Sequence, residues 1–150
     1  MSRPEYSPET LRRREAMSLL ARCSVARLAQ LLPDLPPHEI LRMPEIGTVM
    51  IKGRAGGTGS PFNLGETTVT RASLRLPSGE VGHGYVQGRD KAHALRAAAI
   101  DALGQRDPAG IESRVLSPLR HEQDARKAAI AAEATATRVE FFTLARGEDQ

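Results

Sequence analysis

The sequence predicts an α+β fold, in which an antiparallel β-meander of about three strands packs with helices and carries helical arms at both ends. Two observations lead to this prediction. Residues 67–76 alternate in the manner of a half-buried strand, and a turn sequence at 77–80 separates them from a second extended run at 81–87. Near both ends of the chain, serine–proline pairs at 7–8 and 117–118 are instead typical of helix starts.

The N-terminal arm, residues 1–37, is predicted to contain two helices. Ser7 is placed to cap the first helix, Pro8 takes its first position, and apolar residues follow at roughly helical spacing. A shorter second helix begins at Ser24. A proline-rich stretch that starts at Pro33 forbids its continuation, so the arm ends before the sheet begins.

Residues 44–104 are predicted to form the meander and the helix that packs on it. The first strand is a short run of β-branched and apolar residues at 48–52. A long glycine-rich connection leads to the two alternating runs, which the turn joins as an antiparallel hairpin. Asp90 is placed to cap the following helix, and Gly104 is placed to end it.

The C-terminal arm, residues 111–146, follows a linker at 107–110 and begins as an alanine-rich helix. Its last part is ambiguous: threonine and apolar residues alternate at 135–146 as in a strand, whereas Gly147 fits the end of a continuing helix. We predict a helix. The whole chain, 1–150, is predicted to be one domain, and arms that do not fold back on the sheet would dock on another subunit.

The apolar content is modest for a chain of this length: 40% of the residues are hydrophobic and 3% are aromatic, and many of the hydrophobic residues are alanines. Because a 150-residue domain buries roughly 68–70% of its unfolded surface, a core can form, but we expect it to be thin and partly stabilised by a partner chain. The net charge is +3, and the basic residues are scattered along the chain among eighteen acidic ones. This mild positive excess is compatible with anionic ligands. With few aromatics and no basic stripe, nucleic-acid binding is not expected.

A single cysteine, Cys23, excludes an internal disulfide, an all-cysteine zinc site and an iron–sulfur cluster held by this chain alone. His38, His93 and His121 form no pair at metal-ligand spacing with one another or with Cys23, so neither a metal nor a cofactor is expected. No signal peptide and no apolar run of membrane-spanning length are visible. We therefore expect a cytoplasmic protein without a membrane anchor.

The glycine-rich segment 54–66 is the first candidate site. Its glycines permit positive φ and a close approach to a ligand or another chain, and successive amides can form an anion-binding nest. The candidate anion- or partner-binding residues are Arg54, Gly56, Gly57, Thr58, Gly59, Asn63 and Glu66, of which Arg54 offers a guanidinium to phosphate or phosphonate oxygens. Neither a P-loop nor a dinucleotide fingerprint fits the segment. A structural loop at a subunit interface and a direct anion contact both stay open.

The second candidate site is the segment 82–91, on the third strand and its exit into a helix. The candidate residues are His83, Tyr85, Arg89 and Lys91. In a regular strand the imidazole and the phenol share one face, and glycines at 82 and 84 leave the opposite face open to close packing. These groups could grip a triphosphate or position a proton donor. The alternative is a polar sheet face with solvated charges, and no catalytic residue is assigned.

The same two segments resemble the G subunit of the phosphonate carbon–phosphorus lyase machinery. The similarity is carried by PEIGTVMIKGRAGGTGSPFNLGETTVTR at 44–71 and GHGYVQGRDK at 82–91, and it continues to RVEFFTL at 138–144. It spans most of the chain from residue 11 onward. Long ungapped runs of this kind are more specific than any single glycine motif.

The resemblance implies a cytoplasmic complex of G, H, I and J subunits that breaks down phosphonates. Its first step would displace adenine from ATP with a phosphonate such as methylphosphonate, giving α-D-ribose 1-methylphosphonate 5-triphosphate. By the same resemblance, subunit I carries the nucleosidase chemistry with G and H required alongside it, and ATP is a substrate of the complex. Subunit J, a radical S-adenosylmethionine protein with an iron–sulfur cluster, cleaves the carbon–phosphorus bond, a task that a chain with only Cys23 does not share.

Three functional hypotheses follow. In the first, the chain is a structural and allosteric subunit, not a free-standing enzyme, that docks its glycine-rich loop on subunit I. In the second, it contributes Arg54, His83, Arg89 and Lys91 to the phosphoryl or phosphonate pocket. In the third, it is a stand-alone anion- or nucleotide-binding module. Alone, the chain could be a monomer or a homo-oligomer.

Overall fold

The computed structural model describes residues 4–54, 56 and 59–147, and it divides the chain into two compact units, Met1–Leu116 and Ser117–Gln150. The first unit contains α1 (Pro8–Arg22), α2 (Val25–Leu31), β1 (Glu39–Arg54), β2 (Pro61–Arg75), β3 (Val81–Gln87), α3 (Lys91–Arg106), α4 (Pro108–Ile111) and a π-helical turn (Glu112–Leu116). The second contains α5 (Ser117–Gly147). The predicted α+β class is confirmed, and the three strands form an antiparallel sheet in the order β1-β2-β3. The division into one domain with two arms stays a prediction.

The two N-terminal helices begin where the sequence predicts. The Ser7 hydroxyl accepts a hydrogen bond from the Thr10 amide at 3.2 Å, and the Ser24 hydroxyl accepts one from the Arg27 amide at 3.3 Å. Each cap satisfies one of the amides that a helix leaves unpaired in its first turn. Both predicted helix starts are confirmed.

The first two strands are longer than predicted. β1 starts nine residues before the predicted strand at 48–52, and β2 starts at Pro61, inside the segment that we expected to be a glycine-rich connection. The added residues pair with each other, from Val49 opposite Thr67 to Arg54 opposite Pro61. Their backbone pairing does not require one buried face, so the alternation that reveals a strand is missing there.

The core of the first unit lies between α3 and the sheet face that carries Ala72, Leu74 and Val86. All three side chains are buried, and the facing helix contributes a run of buried alanines at 94, 97, 98, 99 and 102. Two leucines of the arm, Leu32 and Leu35, pack against the edge of this cluster. The face of α3 toward the sheet is therefore rich in alanine, whereas Leu28, Leu76 and Ile100 add large buried side chains to the core.

Gly82 and Gly84 let the backbone of β3 approach α3 directly. A Cβ atom added at Gly82 would overlap the carbonyl oxygen of Ala98 and lie 2.7 Å from the amide nitrogen of Ala102. One added at Gly84 would overlap the carbonyl oxygen of Ala94. The prediction that these glycines leave one strand face open to close packing is confirmed.

The end of α3 differs from the prediction. The helix passes through Gly104 and ends at Arg106, because Asp107 takes the capping position and its amide donates to the Leu103 carbonyl at 2.8 Å. The Asp107 carboxylate then accepts the amide of Gly110 at 3.0 Å and starts α4. The predicted linker at 107–110 is thus mostly a helical turn.

The second unit is the helix α5, which begins at Ser117 as predicted and includes the ambiguous segment 135–146. The predicted helix is confirmed there. Thr135 and Thr137 donate their hydroxyl hydrogens to the carbonyls of Ala131 and Glu133, at 2.9 and 3.0 Å. Because helical backbone satisfies these hydroxyls, alternating threonines need not form a strand.

Within the described part of the chain, no helix combines the length and the apolar character that a membrane crossing requires.

Candidate functional site

The sheet face opposite α3 is polar and exposed. Its polar side chains on β2 and β3 include Arg71, Ser73, Arg75, His83, Tyr85 and Gln87. Ser73 and His83 lie opposite each other, and their Oγ and Nδ1 atoms are 2.7 Å apart. The prediction that His83 and Tyr85 share one strand face is confirmed, and Gln87 lies on the same face.

A groove of about 440 Å³ lies at one end of this face, beside the start of α3. Its apolar lining includes Val49 and Val69, and Val69 is only 4% exposed although it belongs to the outer face of the sheet. Its polar lining includes Arg71, Tyr85 and Lys91. Arg71 and Tyr85 are direct cross-strand neighbours, so the register of β2 and β3 brings these side chains together.

Three side chains of this groove carry hydrogen-bond donors that no described acceptor satisfies. The Arg71 Nη2 atom lies 3.6 Å from Glu45 Oε2, which is an ion pair but too long for a hydrogen bond. Glu45 is also shared with Arg42, at 3.7 Å. The Lys91 ammonium and the Tyr85 hydroxyl have no hydrogen bond or ion pair to any residue that the structure describes. The groove is therefore rich in donors.

The structure does not bring the two predicted clusters together. Tyr85 and Lys91 line the groove, whereas His83 lies farther along the face and Arg89 is not among the lining residues. Arg54 lies at the opposite end of β1, seven residues beyond Gly47 in the groove wall, which corresponds to roughly 23 Å of extended strand. Among the described residues, Arg54 and the residues at 83–91 therefore do not line a single pocket.

The remaining residues of the first predicted cluster fall in or near the far end of the sheet. Asn63 and Glu66 are strand residues of β2, opposite Lys52 and Met50. Gly56 lies in the connection between β1 and β2 and has a φ of 62°, the conformation expected of such a glycine. Gly59 is also in this connection, and Gly57 and Thr58 lie outside the described residues. Ligand or partner binding by this cluster stays a prediction.

The far ends of β1 and β2, residues 50–54 and 61–66, form what we call the distal ribbon. No residue of the distal ribbon is buried, although it carries large apolar side chains. Met50 is 57% exposed and Leu64 is 62% exposed, and Ile51 and Phe62 are exposed as well. A two-stranded ribbon is marginal on its own in water, and clustered exposed apolar side chains are typical of interaction surfaces.

An ion pair that sequence reasoning missed positions the strand that carries the site. The Asp101 carboxylate, whose side chain is 4% exposed, accepts hydrogen bonds from Arg13 Nε at 3.0 Å and Nη2 at 2.9 Å. It also accepts the His83 amide at 2.9 Å, so one carboxylate joins α1, α3 and β3. The hydrogen bond to Asp101 raises the pKa of Arg13 above its ordinary value. Because 88 residues separate Arg13 from Asp101, no local pattern indicates this pair.

A second pair that sequence spacing did not indicate is Cys23 and His93. The Cys23 Sγ atom lies 3.6 Å from His93 Nε2, and Nε2 donates to the Leu20 carbonyl at 3.0 Å. The other ring nitrogen, Nδ1, is buried without a hydrogen-bond partner among the described residues. Burial lowers the pKa of His93 below its ordinary value. Across the described ranges, no three His, Cys, Asp or Glu side chains are grouped so as to hold a metal ion.

The buried His93 is expected to make folding stability depend on pH. The folded chain favours the neutral imidazole, whereas the unfolded chain takes up a proton near the ordinary pKa of 6.5. The free energy of unfolding should be highest above that pH and should fall as the pH decreases toward the folded-state pKa of His93, by at most about 1.4 kcal/mol per pH unit. Urea unfolding at about pH 7.5, 6.5 and 5.5 measures this slope. His93→Gln, which does not titrate, should show a smaller slope over this range, and equal slopes would contradict the prediction.

The chain is similar to known proteins over most of its length, including all the core residues described above. A family model described as "Phosphonate metabolism protein PhnG" matches residues 11–147. A protein of Rhizobium meliloti (strain 1021), named alpha-D-ribose 1-methylphosphonate 5-triphosphate synthase subunit PhnG, is 48% identical to the chain over 145 residues. That alignment covers 91% of this chain and 90% of the relative. The span of the family model includes both the groove and the distal ribbon.

Proposed function

Because the chain belongs to the PhnG family of phosphonate metabolism proteins, we propose that it works as one subunit of a synthase complex and not as a free-standing enzyme. The proposed reaction of the complex is the displacement of adenine from ATP by methylphosphonate, which yields α-D-ribose 1-methylphosphonate 5-triphosphate. Its proposed partners are the H, I and J subunits of the carbon–phosphorus lyase machinery, in the cytoplasm. The name of the Rhizobium meliloti relative supports both the product and the subunit role.

The distal ribbon is the observation that supports a subunit role most directly. Its residues are not buried on either face of this two-stranded part of the sheet, and β3 does not extend along it. Its exposed side chains include Met50, Phe62 and Leu64. Protein interfaces concentrate such large apolar groups in their cores. We infer that this ribbon inserts against another subunit, for which subunit I is the leading candidate.

The outward edge of β1 adds a second means of docking. β1 is an edge strand of 16 residues, so one row of its backbone groups has no partner within the sheet. Natural proteins shield such edges or use them to bind another chain. Pro44 and the register shifts at 40–45 interrupt the body-proximal part of this edge. The part in the distal ribbon has one register shift, between Ile51 and Lys52, and it coincides with the exposed apolar side chains.

Co-expression with subunits H, I and J tests the proposal. We expect the chain to co-elute with them in size-exclusion chromatography, and we expect adenine release from ATP plus methylphosphonate to depend on its presence. A chain that elutes alone and leaves adenine release unchanged would contradict the subunit role. ATP binding by the isolated chain would instead favour a stand-alone nucleotide-binding module.

Polar substitutions in the distal ribbon are expected to weaken assembly without unfolding the chain. Met50→Ser combined with Phe62→Ser removes two exposed apolar side chains, so the far-UV circular dichroism of the chain alone should be unchanged. If the ribbon is an interface core, its affinity for the other subunits should fall at least about tenfold. Leu11→Ser, at an equally exposed apolar position on α1, is the matched control. Equal affinities of both variants in a pull-down titration would argue against docking by the ribbon.

A further inference from the structure

We propose that the groove lined by Arg71, Tyr85 and Lys91 binds the phosphate oxygens of a triphosphate, the group that ATP and the synthase product share. This inference rests on the proposed function for the identity of the ligand. The groove itself is defined by the geometry of this chain. Of the residues named in the second candidate site, it retains Tyr85 and Lys91 and adds Arg71, which the sequence did not single out.

The balance of donors and acceptors in the groove favours an anion. Arg71 offers five N–H donors, Lys91 offers three, and the Tyr85 hydroxyl offers one more. Glu45 is the one carboxylate in the lining, and its Oε2 atom lies 3.6 Å from Arg71 Nη2, beyond hydrogen-bond distance. Phosphate oxygens supply acceptors at high density, and charge-assisted hydrogen bonds to guanidinium and ammonium groups are among the strongest in proteins.

The shape of the groove favours an organic phosphate over a lone inorganic ion. Its volume of about 440 Å³ lies within the range of small-molecule sites, which is far more than one phosphate needs. Val49 and Val69 provide an apolar wall next to the cationic rim. The C–H groups of a ribose can lie against this wall while the phosphates face Arg71 and Lys91.

The backbone amides in the first turn of α3 are not part of the proposed site. Asp90 immediately precedes Lys91, and its carboxylate caps the helix by accepting the His93 amide at 2.8 Å. The proposed contacts are therefore made by side chains of the groove and not by unpaired helix amides. Glu45 opposes them, because its negative charge lies within the same lining.

Chemical protection of Lys91 tests binding without relying on activity. The full chain, alone and in the co-expressed complex, is treated with an amine-reactive acylating reagent with and without inorganic triphosphate, and modification is read by mass spectrometry. At about ten times the dissociation constant, triphosphate should slow acylation of Lys91 roughly tenfold. Lys127 on α5, which is also exposed, is the internal control and should not be protected. Equal protection or no protection of both lysines would overturn the proposal.

Variants in the complex provide the kinetic test. Arg71→Ala and Lys91→Ala should each raise the KM for ATP in adenine release, by roughly tenfold, while the subunits still co-elute. Arg71→Lys should retain part of the affinity, and Glu45→Gln should lower the KM because it removes the opposing charge. Arg75→Ala is the matched control, since Arg75 lies on the same strand face, outside the groove, paired with Glu39 at 3.6 Å. A KM unchanged in both alanine variants would overturn the proposal.

The two proposals fail in different ways. If the wild-type chain does not assemble but triphosphate still protects Lys91 in the chain alone, the subunit role falls and the groove stands as a triphosphate site. If the complex assembles and releases adenine but Lys91 is unprotected, the groove proposal alone falls. If assembly by itself makes Lys91 unreactive, or the alanine variants abolish assembly, the groove is a protein interface and the triphosphate proposal is wrong.

Discussion

Gly84→Val is expected to destabilise the first unit by about 3 kcal/mol or more, the largest effect of any single substitution considered for this chain. A Cβ atom at this position would overlap the carbonyl oxygen of Ala94, and it would lie 3.0 Å from the amide nitrogen of Ala98. These are backbone atoms of α3, which no side-chain rotation can move away. The variant can form the sheet only if α3 shifts outward, and this shift would open the core.

Urea unfolding followed by circular dichroism measures this loss as a lower midpoint. Gly47→Val is the matched control, because Gly47 is also a strand glycine but has no atom within 4 Å of an added Cβ. We expect that variant to unfold near the wild-type midpoint. Similar midpoints for the two valine variants would show that α3 does not pack on β3 as closely as described.

Asp101→Ala is expected to cost about 2–3 kcal/mol of unfolding free energy, the second largest effect. It leaves the His83 amide without its acceptor, and it removes both hydrogen bonds from Arg13. The loss of the hydrogen bond from the His83 amide contributes more of this free energy. The Arg13 side chain is 42% exposed, so water can replace part of its interaction with Asp101.

A double-mutant cycle separates these two contributions. Arg13→Ala alone should destabilise the chain, since it leaves a buried carboxylate with one donor, but it should add little once Asp101 is already alanine. Full additivity of the two substitutions would contradict the proposed pair. Asp101→Asn, which keeps the shape and one acceptor oxygen, should lie between wild type and Asp101→Ala in stability.

Sequence patterns predicted best those elements whose signals are local. The caps at Ser7 and Ser24 are decided within three residues, and the short strand at 81–87 is bounded by a turn on one side and a helix cap on the other. The early end assigned at Gly104 shows the limit of this reasoning. A glycine permits a helix to end, but here the capping side chain of Asp107 decides where it ends.

The parts of the site that depend on strand register were not predictable from the sequence. Tyr85 and Lys91 stand out because they belong to one short segment, whereas Arg71 joins them only through the pairing of β2 with β3. Val69 is buried on a face that is otherwise exposed, which no alternation pattern reveals. For the same reason, the sequence placed Arg54 in a pocket with residues from which the length of β1 separates it.

The contact between α3 and β3 explains how a chain with few large apolar side chains holds a helix against a sheet. Alanine and glycine lose no rotamer freedom when they are buried, so ordering this contact costs little side-chain conformational entropy. Burying alanine and glycine contributes less hydrophobic free energy than burying larger side chains would, but it also costs less conformational entropy. At Gly82 and Gly84 the strand and the helix therefore meet backbone to backbone, and the large buried side chains, such as Leu74 and Ile100, lie elsewhere in the core.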